Sequence, residues 1–126
     1  MSEGYVLVVD DEPNIAMCLE YLMKRQGYSV KVAPDGETAL DTMRERVPDV
    51  MLLDVMMPRR DGYDICQTVR ATPAWKDVRI IMLSGRGRAI EREKGLALGA
   101  DDYITKPFST DKVIERVRQY MPEHAG

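Results

Sequence analysis

The chain has 126 residues, of which 44% are hydrophobic and 31% charged, which is typical of one globular domain with a single core. The net charge of −3 and the lack of a basic block argue against direct binding to nucleic acid. No apolar run approaches the roughly 18 residues of a membrane span, and the start MSEGYV is no signal segment, so we expect a cytoplasmic protein without membrane insertion.

Apolar runs alternate with helical patterns along the whole chain, and this alternation predicts βαβ units with a parallel sheet. In chain order we expect strand 5–10 and helix 13–26, strand 29–33 and helix 36–46, strand 49–54 and helix 62–71, strand 78–84 and helix 88–98, and strand 102–105 and helix 110–121. The chain is thus expected to form a single domain over 1–126, with a core at about 5–121 and a short tail at 122–126.

Start and stop signals agree with these helices. Pro13 suits a first helical turn, and Asp35 and Ser109 suit N-cap positions. Gly27 and Gly99 suit the positions just past a helix end, where a left-handed backbone favours glycine.

The strands differ in polarity, and this predicts their order. The first, third and fourth are nearly continuous apolar runs, as expected for strands covered on both faces. The second alternates Val30 and Val32 with polar residues, and the fifth is short and partly polar, so these two should be the edges. With right-handed crossovers, the result is a doubly wound, flavodoxin-like α/β fold: five parallel strands in the order 2-1-3-4-5, flanked by five helices.

In this topology, polar residues at strand ends meet at one edge of the sheet. Asp10, Asp54 and Ser84 end the first, third and fourth strands, and Asp11 follows Asp10. Three carboxylates so close would repel one another unless a cation bound between them, and oxygen ligands without histidine or thiolate favour Mg²⁺ or Mn²⁺ over zinc. We expect an acid in this segment to cap the first helix, but capping does not account for three acids from two strands.

A divalent ion beside Asp54 would make this carboxylate a candidate nucleophile toward phosphorus, because the metal screens the repulsion between the carboxylate and the phosphoryl oxygens. Lys106, just past the fifth strand in YITKPF, offers a cation to the transferred group, and Ser84 offers a hydroxyl. The Lys106–Pro107 bond is a candidate for the cis form, in a turn that would aim the lysine inward.

Four motifs follow the predicted strands in order, and they are VVDDE, LLDVMMPRRDG, MLSG and YITKPF. With these motifs at this spacing, the chain resembles the receiver domain of two-component response regulators from about residue 5 to residue 121. The resemblance implies that Asp54 is the phosphoacceptor. It also implies that Asp10, Asp11, Asp54 and the main-chain carbonyl of Met56 hold Mg²⁺, with Mn²⁺ as a possible substitute.

The same resemblance implies roles for three more residues and for partners. Lys106 and Ser84 match the positions that hold the phosphoryl oxygens, and Tyr103 matches an aromatic switch position whose ring swings inward as Ser84 shifts. The donor would be a phosphohistidine on a histidine kinase or a histidine phosphotransfer protein. The chain would then be a signalling switch and not an enzyme, although it would assist its own phosphorylation and dephosphorylation.

We expect the output to be a protein–protein contact. The sequence ends in MPEHAG after the fifth helix, with no basic recognition helix and no catalytic segment. The surface of helix 4, strand 5 and helix 5, including Tyr103, should change on phosphorylation and bind an effector or a second copy. Helix 4 has few apolar anchors and an internal glycine, so it is the best candidate for movement.

Other functions fit less well. A Mg²⁺-dependent aspartate-nucleophile phosphatase or phosphotransferase is the main alternative, but that class would favour an acid where Met56 stands. A scaffold that has lost its chemistry is disfavoured because every chemical position is filled. A nucleotide-binding protein is disfavoured because no glycine-rich loop follows the first strand.

A few residues depart from the expected pattern or are expected to be unremarkable. Arg60 stands where the family usually has an apolar residue, and we interpret it with Arg59 as solvated surface. Arg86 lies near the predicted mouth of the site. Both cysteines, Cys18 and Cys66, are expected to be buried thiols, and Trp75 is expected to be a partly exposed loop aromatic.

Overall fold

The computed structural model describes residues 4–85 and 89–122, and it forms a helix–sheet–helix sandwich. Arg86, Arg88 at the start of the predicted fourth helix, and residues 123–126 of the predicted tail lie outside the described residues. None of the helices in the described ranges has the length and apolar character needed to cross a membrane.

The sheet has the predicted topology. Its five parallel strands lie in the order β2-β1-β3-β4-β5, which confirms the fold and both edges. The strands are β1 (Tyr5–Val9), β2 (Ser29–Ala33), β3 (Val50–Asp54), β4 (Arg79–Ser84) and β5 (Asp102–Thr105). Because β1 and β3 are neighbours at the centre of the sheet, the residues at their carboxyl ends share one crevice.

Within the described ranges, four α-helices and one short 3₁₀ turn connect the strands, and a fifth α-helix follows β5. The helices are α1 (Pro13–Arg25), α2 (Gly36–Glu45), α3 (Gly62–Ala71), α4 (Ala89–Ala97) and α5 (Thr110–Tyr120), and the turn is Pro73–Trp75. The predicted N-caps are confirmed, because the Asp35 side chain accepts from the Thr38 backbone N–H at 2.8 Å and Ser109 accepts from that of Lys112 at 3.4 Å. Gly27 and Gly99 have φ of 91° and 112°, as expected past a helix end.

Each face of the sheet carries its own apolar layer. Alternate residues along a strand point to opposite faces, so Leu7 and Val9 of β1 lie in the layer under α2 and α3, whereas Val6 and Val8 lie in the layer under α1 and α5. The helices contribute fully or nearly fully buried side chains to these layers: Leu40, Met43, Ile65 and Val69 on one face, and Leu19, Met23, Val113 and Val117 on the other.

Two expectations about burial were wrong. Trp75 is only 7% exposed and lies in the layer under α2 and α3, because the short 3₁₀ turn folds it back onto the core. Cys18 is exposed, since it lies beside the buried stripe of α1 and not on it. Cys66 is buried as expected, and burial raises the pKa of its thiol to about 11.

Candidate functional site

The three candidate metal-binding carboxylates meet at the carboxyl edge of the sheet. Asp10 directly follows β1 and Asp54 is the last residue of β3; they are 2% and 3% exposed, whereas Asp11 is exposed. One ligand oxygen from each of the three lies within 4.8 Å of the others. The cluster therefore has two buried acids and a third that faces the solvent.

Lys106 bridges the two buried acids. Its Nζ lies 3.2 Å from Asp10 Oδ2 and 3.2 Å from Asp54 Oδ1, and its side chain is 17% exposed. The Lys106–Pro107 peptide bond is cis, as the sequence suggested, and the Lys106 backbone N–H donates to the Ser84 carbonyl at 2.6 Å. The end of β5 thus brings a cation into the acidic crevice.

The charges in the crevice are not balanced by the lysine alone. Burial, followed by repulsion from Asp10, raises the pKa of Asp54 to about 6, although Lys106 opposes the shift. Burial would lower the pKa of Lys106, but the negative charges of Asp54 and Asp10 outweigh it and raise that pKa. A cluster of hard oxygen donors with excess negative charge fits a divalent cation such as Mg²⁺.

Backbone groups fix the orientation of both buried carboxylates. Asp10 Oδ1 accepts from the Glu12 backbone N–H at 2.9 Å, and Asp54 Oδ1 accepts from that of Met56 at 3.3 Å. Glu12 is the N-cap residue of α1 but makes no side-chain capping bond, so the expectation of an acidic cap there was wrong. Asp10 and Asp11 thus belong to the acidic cluster, whereas Glu12 is exposed.

Gly62 allows the loop between β3 and α3 to fold closely against the site. A Cβ at Gly62 would lie 2.6 Å from the Asp54 carbonyl oxygen and 2.8 Å from Val55 Cα, which leaves room only for hydrogen. The Gly62 backbone N–H donates to the Val55 carbonyl at 2.9 Å. The start of α3 is therefore in direct contact with the backbone of the candidate phosphoacceptor.

The candidate switch residues lie at the adjoining strands. Ser84 ends β4, is fully buried and pairs in register with Thr105 of β5. Tyr103 is 1% exposed, and a Cβ at Gly95 of α4 would lie 3.1 Å from its ring. In this structure the Tyr103 ring is thus packed inward beneath α4.

Arg60 was wrongly interpreted as solvated surface. Its guanidinium donates to Glu37 of α2 at 2.9 Å and to Asp64 and Thr68 of α3 at 2.9 and 2.8 Å. The i,i+4 spacing of Arg60 and Asp64 was a usable sequence signal, but the contact with Glu37 depends on the tertiary fold. Arg59 is exposed, with a left-handed φ of 68°.

Sequence reasoning also missed Tyr63, in the first turn of α3. It is 6% exposed, and its hydroxyl donates to Glu91 Oε2 of α4 at 3.0 Å. These two residues are 28 positions apart, and no local pattern in the sequence connects them. Tyr63 links the loop after Asp54 to α4.

A family model described as the response regulator receiver domain matches residues 6–118. Among solved structures, the chain is similar to a protein described as a response regulator from Chloroflexus aurantiacus J-10-fl, with 35% identity, a TM-score of 0.90, and coverage of 95% of this chain and 98% of that one. It is also similar to the receiver domain of the Francisella response regulator 1452, with 34% identity, a TM-score of 0.88 and coverage of 94% and 97%. A third similar structure is the BeF3-activated receiver domain of DrrB, with 33% identity, a TM-score of 0.86 and coverage of 94% and 97%.

Proposed function

The chain belongs to the response regulator receiver domain family, and on this premise we propose that it is a switch that accepts a phosphoryl group on Asp54 from a phosphohistidine donor. Receiver domains are signalling phosphoacceptor domains and are generally not classed as enzymes. The observation that carries the assignment to Asp54 is its position: a buried strand-end carboxylate, 3.2 Å from Lys106 and within reach of two further acids.

The residues around Asp54 suit phosphoryl transfer. A carboxylate oxygen of Asp54 forms the new P–O bond, while the P–N bond to the donor imidazole breaks and its electron pair returns to the imidazole nitrogen. Asp10, Asp11, Asp54 and the main-chain carbonyl of Met56 would hold Mg²⁺, or Mn²⁺ in its place, and the ion would neutralise charge on the phosphoryl oxygens.

Lys106 and Ser84 would bind the phosphoryl oxygens once they are attached to Asp54. Lys106 already lies in the crevice, and its backbone N–H donates to the Ser84 carbonyl. A backbone shift at one of these residues should therefore move the other. The burial of Tyr103 beneath α4 then supports its role as the residue through which this shift reaches the surface.

We propose that the output is protein–protein contact through the surface formed by α4, β5 and α5. A histidine kinase or a histidine phosphotransfer protein would supply the phosphoryl group, and a downstream effector or a second copy of the chain would read the changed surface. The sparse anchoring of α4 supports this choice of surface, because a weakly held element can be displaced by a small free energy.

The proposal is tested with phosphoramidate as the donor, with Mg²⁺ or with excess chelator, followed by peptide mass mapping. We expect a single added phosphoryl group on the peptide that contains Asp54, and only when Mg²⁺ is present. Asp54→Asn should remain unmodified, while Asp64→Asn on the exposed side of α3 should be modified normally. Efficient modification of Asp54→Asn, or undiminished modification in chelator, would contradict the proposed site.

A further inference from the structure

The anchoring of α4 is unusual for a helix that lies against a sheet. Within α4, all of which the structure describes, Gly95 is the only buried residue. The large apolar residues Ile90 and Leu96 are 69% and 40% exposed. Apolar burial therefore contributes little to holding α4, and specific contacts with its neighbours must contribute more.

Tyr63 of α3 makes two such contacts. Its hydroxyl donates to Glu91 Oε2 at 3.0 Å and lies 3.3 Å from the Glu91 carbonyl oxygen. On the same ring, Lys94 Nζ lies 4.3 Å from the centroid, within the range of a cation–π interaction. Glu91 and Lys94 are one turn apart on α4, so a single tyrosine engages one side of the helix over a full turn.

Tyr103 of β5 contacts the same helix from the sheet. Arg92 Nη1 donates to the Tyr103 carbonyl at 3.3 Å, and Gly95 packs against the Tyr103 ring. Burial, followed by hydrogen bonds to Tyr103 and Glu91, raises the pKa of Tyr63, so its hydroxyl stays protonated and available as a donor. The two tyrosines therefore form one continuous support beneath α4.

Tyr63 is also joined to the candidate phosphoacceptor through the backbone. Its neighbour Gly62 lies so close to the Asp54 carbonyl that no side chain fits between them, and the Gly62 N–H is bonded to Val55. Beside these residues, a cleft of about 440 Å³ opens between the loop after β3 and α4, and Tyr63 and Lys94 line it. A shift of the loop therefore moves Tyr63, and the cleft leaves space for α4 to respond.

We propose that Tyr63 is a positioning residue that latches α4 to the loop after Asp54 and couples modification of Asp54 to the position of α4. The inference rests on the proposed function, since it gives the switch a second connection to α4 besides the one through Ser84 and Tyr103. The latch consists of the Tyr63 hydroxyl, the Glu91 carboxylate and the Lys94 ammonium group.

The latch is tested first without any phosphodonor, by hydrogen exchange of the α4 amides. Tyr63→Phe keeps the ring and its contact with Lys94 but removes the hydroxyl, and we expect the α4 amides to exchange at least about tenfold faster, as the loss of one hydrogen bond to a charged group predicts. Tyr120→Phe is the matched control, because it removes a hydroxyl that donates to the Asp101 carbonyl at 3.1 Å and not to α4. Unchanged α4 exchange in Tyr63→Phe would overturn the latch.

A second variant covers the other partner. Glu91→Ala removes the carboxylate acceptor and should also accelerate exchange in α4. The double variant Tyr63→Phe with Glu91→Ala should exchange no faster than Tyr63→Phe alone, because removing the hydroxyl already removes its bond to the carboxylate. Additive acceleration in the double variant would show that the two residues act separately, and it would also overturn the latch.

Coupling is tested with beryllofluoride and Mg²⁺ as the phosphoryl mimic. In the unmodified sequence we expect changed exchange both in the loop after β3 and in α4, whereas in Tyr63→Phe the loop change should persist and the α4 change should fall severalfold. An α4 response of equal size in both proteins would overturn the coupling. If no segment of the unmodified sequence responds, the proposed function fails instead, and the comparison without mimic still decides whether the latch exists.

Discussion

Asp54 is held in an environment that disfavours its charged form. A carboxyl group whose pKa is higher in the folded than in the unfolded protein binds its proton more tightly when folded. The folded state therefore loses stability as the pH rises from the usual carboxyl range through about 6. In the absence of metal, the proposed phosphoacceptor therefore destabilises the fold at neutral pH.

Because ionisation of Asp54 destabilises the folded state, we expect Asp54→Asn to raise the free energy of unfolding by about 1–3 kcal/mol at pH about 7.5 in chelator. The gain should fall to about 0.5 kcal/mol at pH about 4, where the carboxyl group is protonated in the folded state and about half protonated in the unfolded state, and it should shrink when Mg²⁺ is added. Urea unfolding at the two pH values measures the difference. Asp11→Asn, which changes an exposed carboxylate of the same cluster, should have a much smaller effect, and an equal gain at both pH values would contradict the electrostatic explanation.

Lys106 compensates the same charges, so its removal should have the opposite effect. Lys106→Ala leaves the carboxylates of Asp10 and Asp54 facing each other, and we expect the metal-free protein to lose about 2–4 kcal/mol of unfolding free energy. Mg²⁺ affinity measured by calorimetry should be nearly normal, because the lysine is the proposed contact for the phosphoryl group and not for the ion. Saturating Mg²⁺ should then stabilise the variant about as much as the unmodified chain, so the loss relative to that chain should persist.

The matched control for this lysine is Lys112→Ala, which alters an exposed lysine of α5 and should change stability by less than about 0.5 kcal/mol. A large loss of Mg²⁺ affinity in Lys106→Ala would contradict the proposal that the lysine contacts the phosphoryl group and not the ion. We also expect Lys106→Ala to accept phosphate without the exchange response in α4, since the lysine is the proposed contact for the phosphoryl group.

At the scale of elements, the ends of the strands could be predicted but the contacts between helices could not. Asp54 stands out in the sequence because an apolar strand needs no charge, and its position at the sheet edge follows from the strand order alone. Arg60 and Tyr63 give no such signal, because their partners Glu37 and Glu91 become neighbours only when α2, α3 and α4 pack. The burial of Trp75 likewise depends on the turn that folds it inward.

The Arg60 contacts predict a measurable link between α2 and α3. Arg60→Met, which restores an apolar residue of similar length, should lower the free energy of unfolding by about 1 kcal/mol at low salt, and the loss should diminish in high salt. Arg44→Met is the control, because Arg44 pairs with Asp41 within its own helix and is largely exposed. Thermal unfolding at two salt concentrations measures both variants; equal effects would show that Arg60 acts as ordinary surface charge.

At the scale of the whole molecule, two apolar layers share a single sheet. Alternate residues of the same strands point into the two layers, so neither layer can lose its strands without the other. We therefore expect the described core to unfold in one transition. The proposal of a single domain over about 5–121 therefore requires that a substitution which destabilises one layer also lower the stability of the other.

Trp75 provides a local probe for this test, because it lies in the layer under α2 and α3. Leu19→Ala empties space in the opposite layer and should cost about 2–5 kcal/mol. Its urea midpoint should fall equally whether unfolding is followed by Trp75 fluorescence or by far-UV circular dichroism. Separate midpoints for the two signals would show that the layers unfold independently.

Because few α4 side chains are buried, the sequence of this helix can diverge between related receiver domains. A helix that contributes one buried glycine to the interior can exchange its outward residues, Ile90 and Leu96 among them, with little effect on folding. On the proposed output surface, sequence change at these outward positions should be constrained mainly by the partner that α4 contacts and little by packing. Grafting the outward residues of α4 between related chains should therefore transfer partner preference while each recipient keeps its own acceptor chemistry, which makes recognition and chemistry separately inheritable traits.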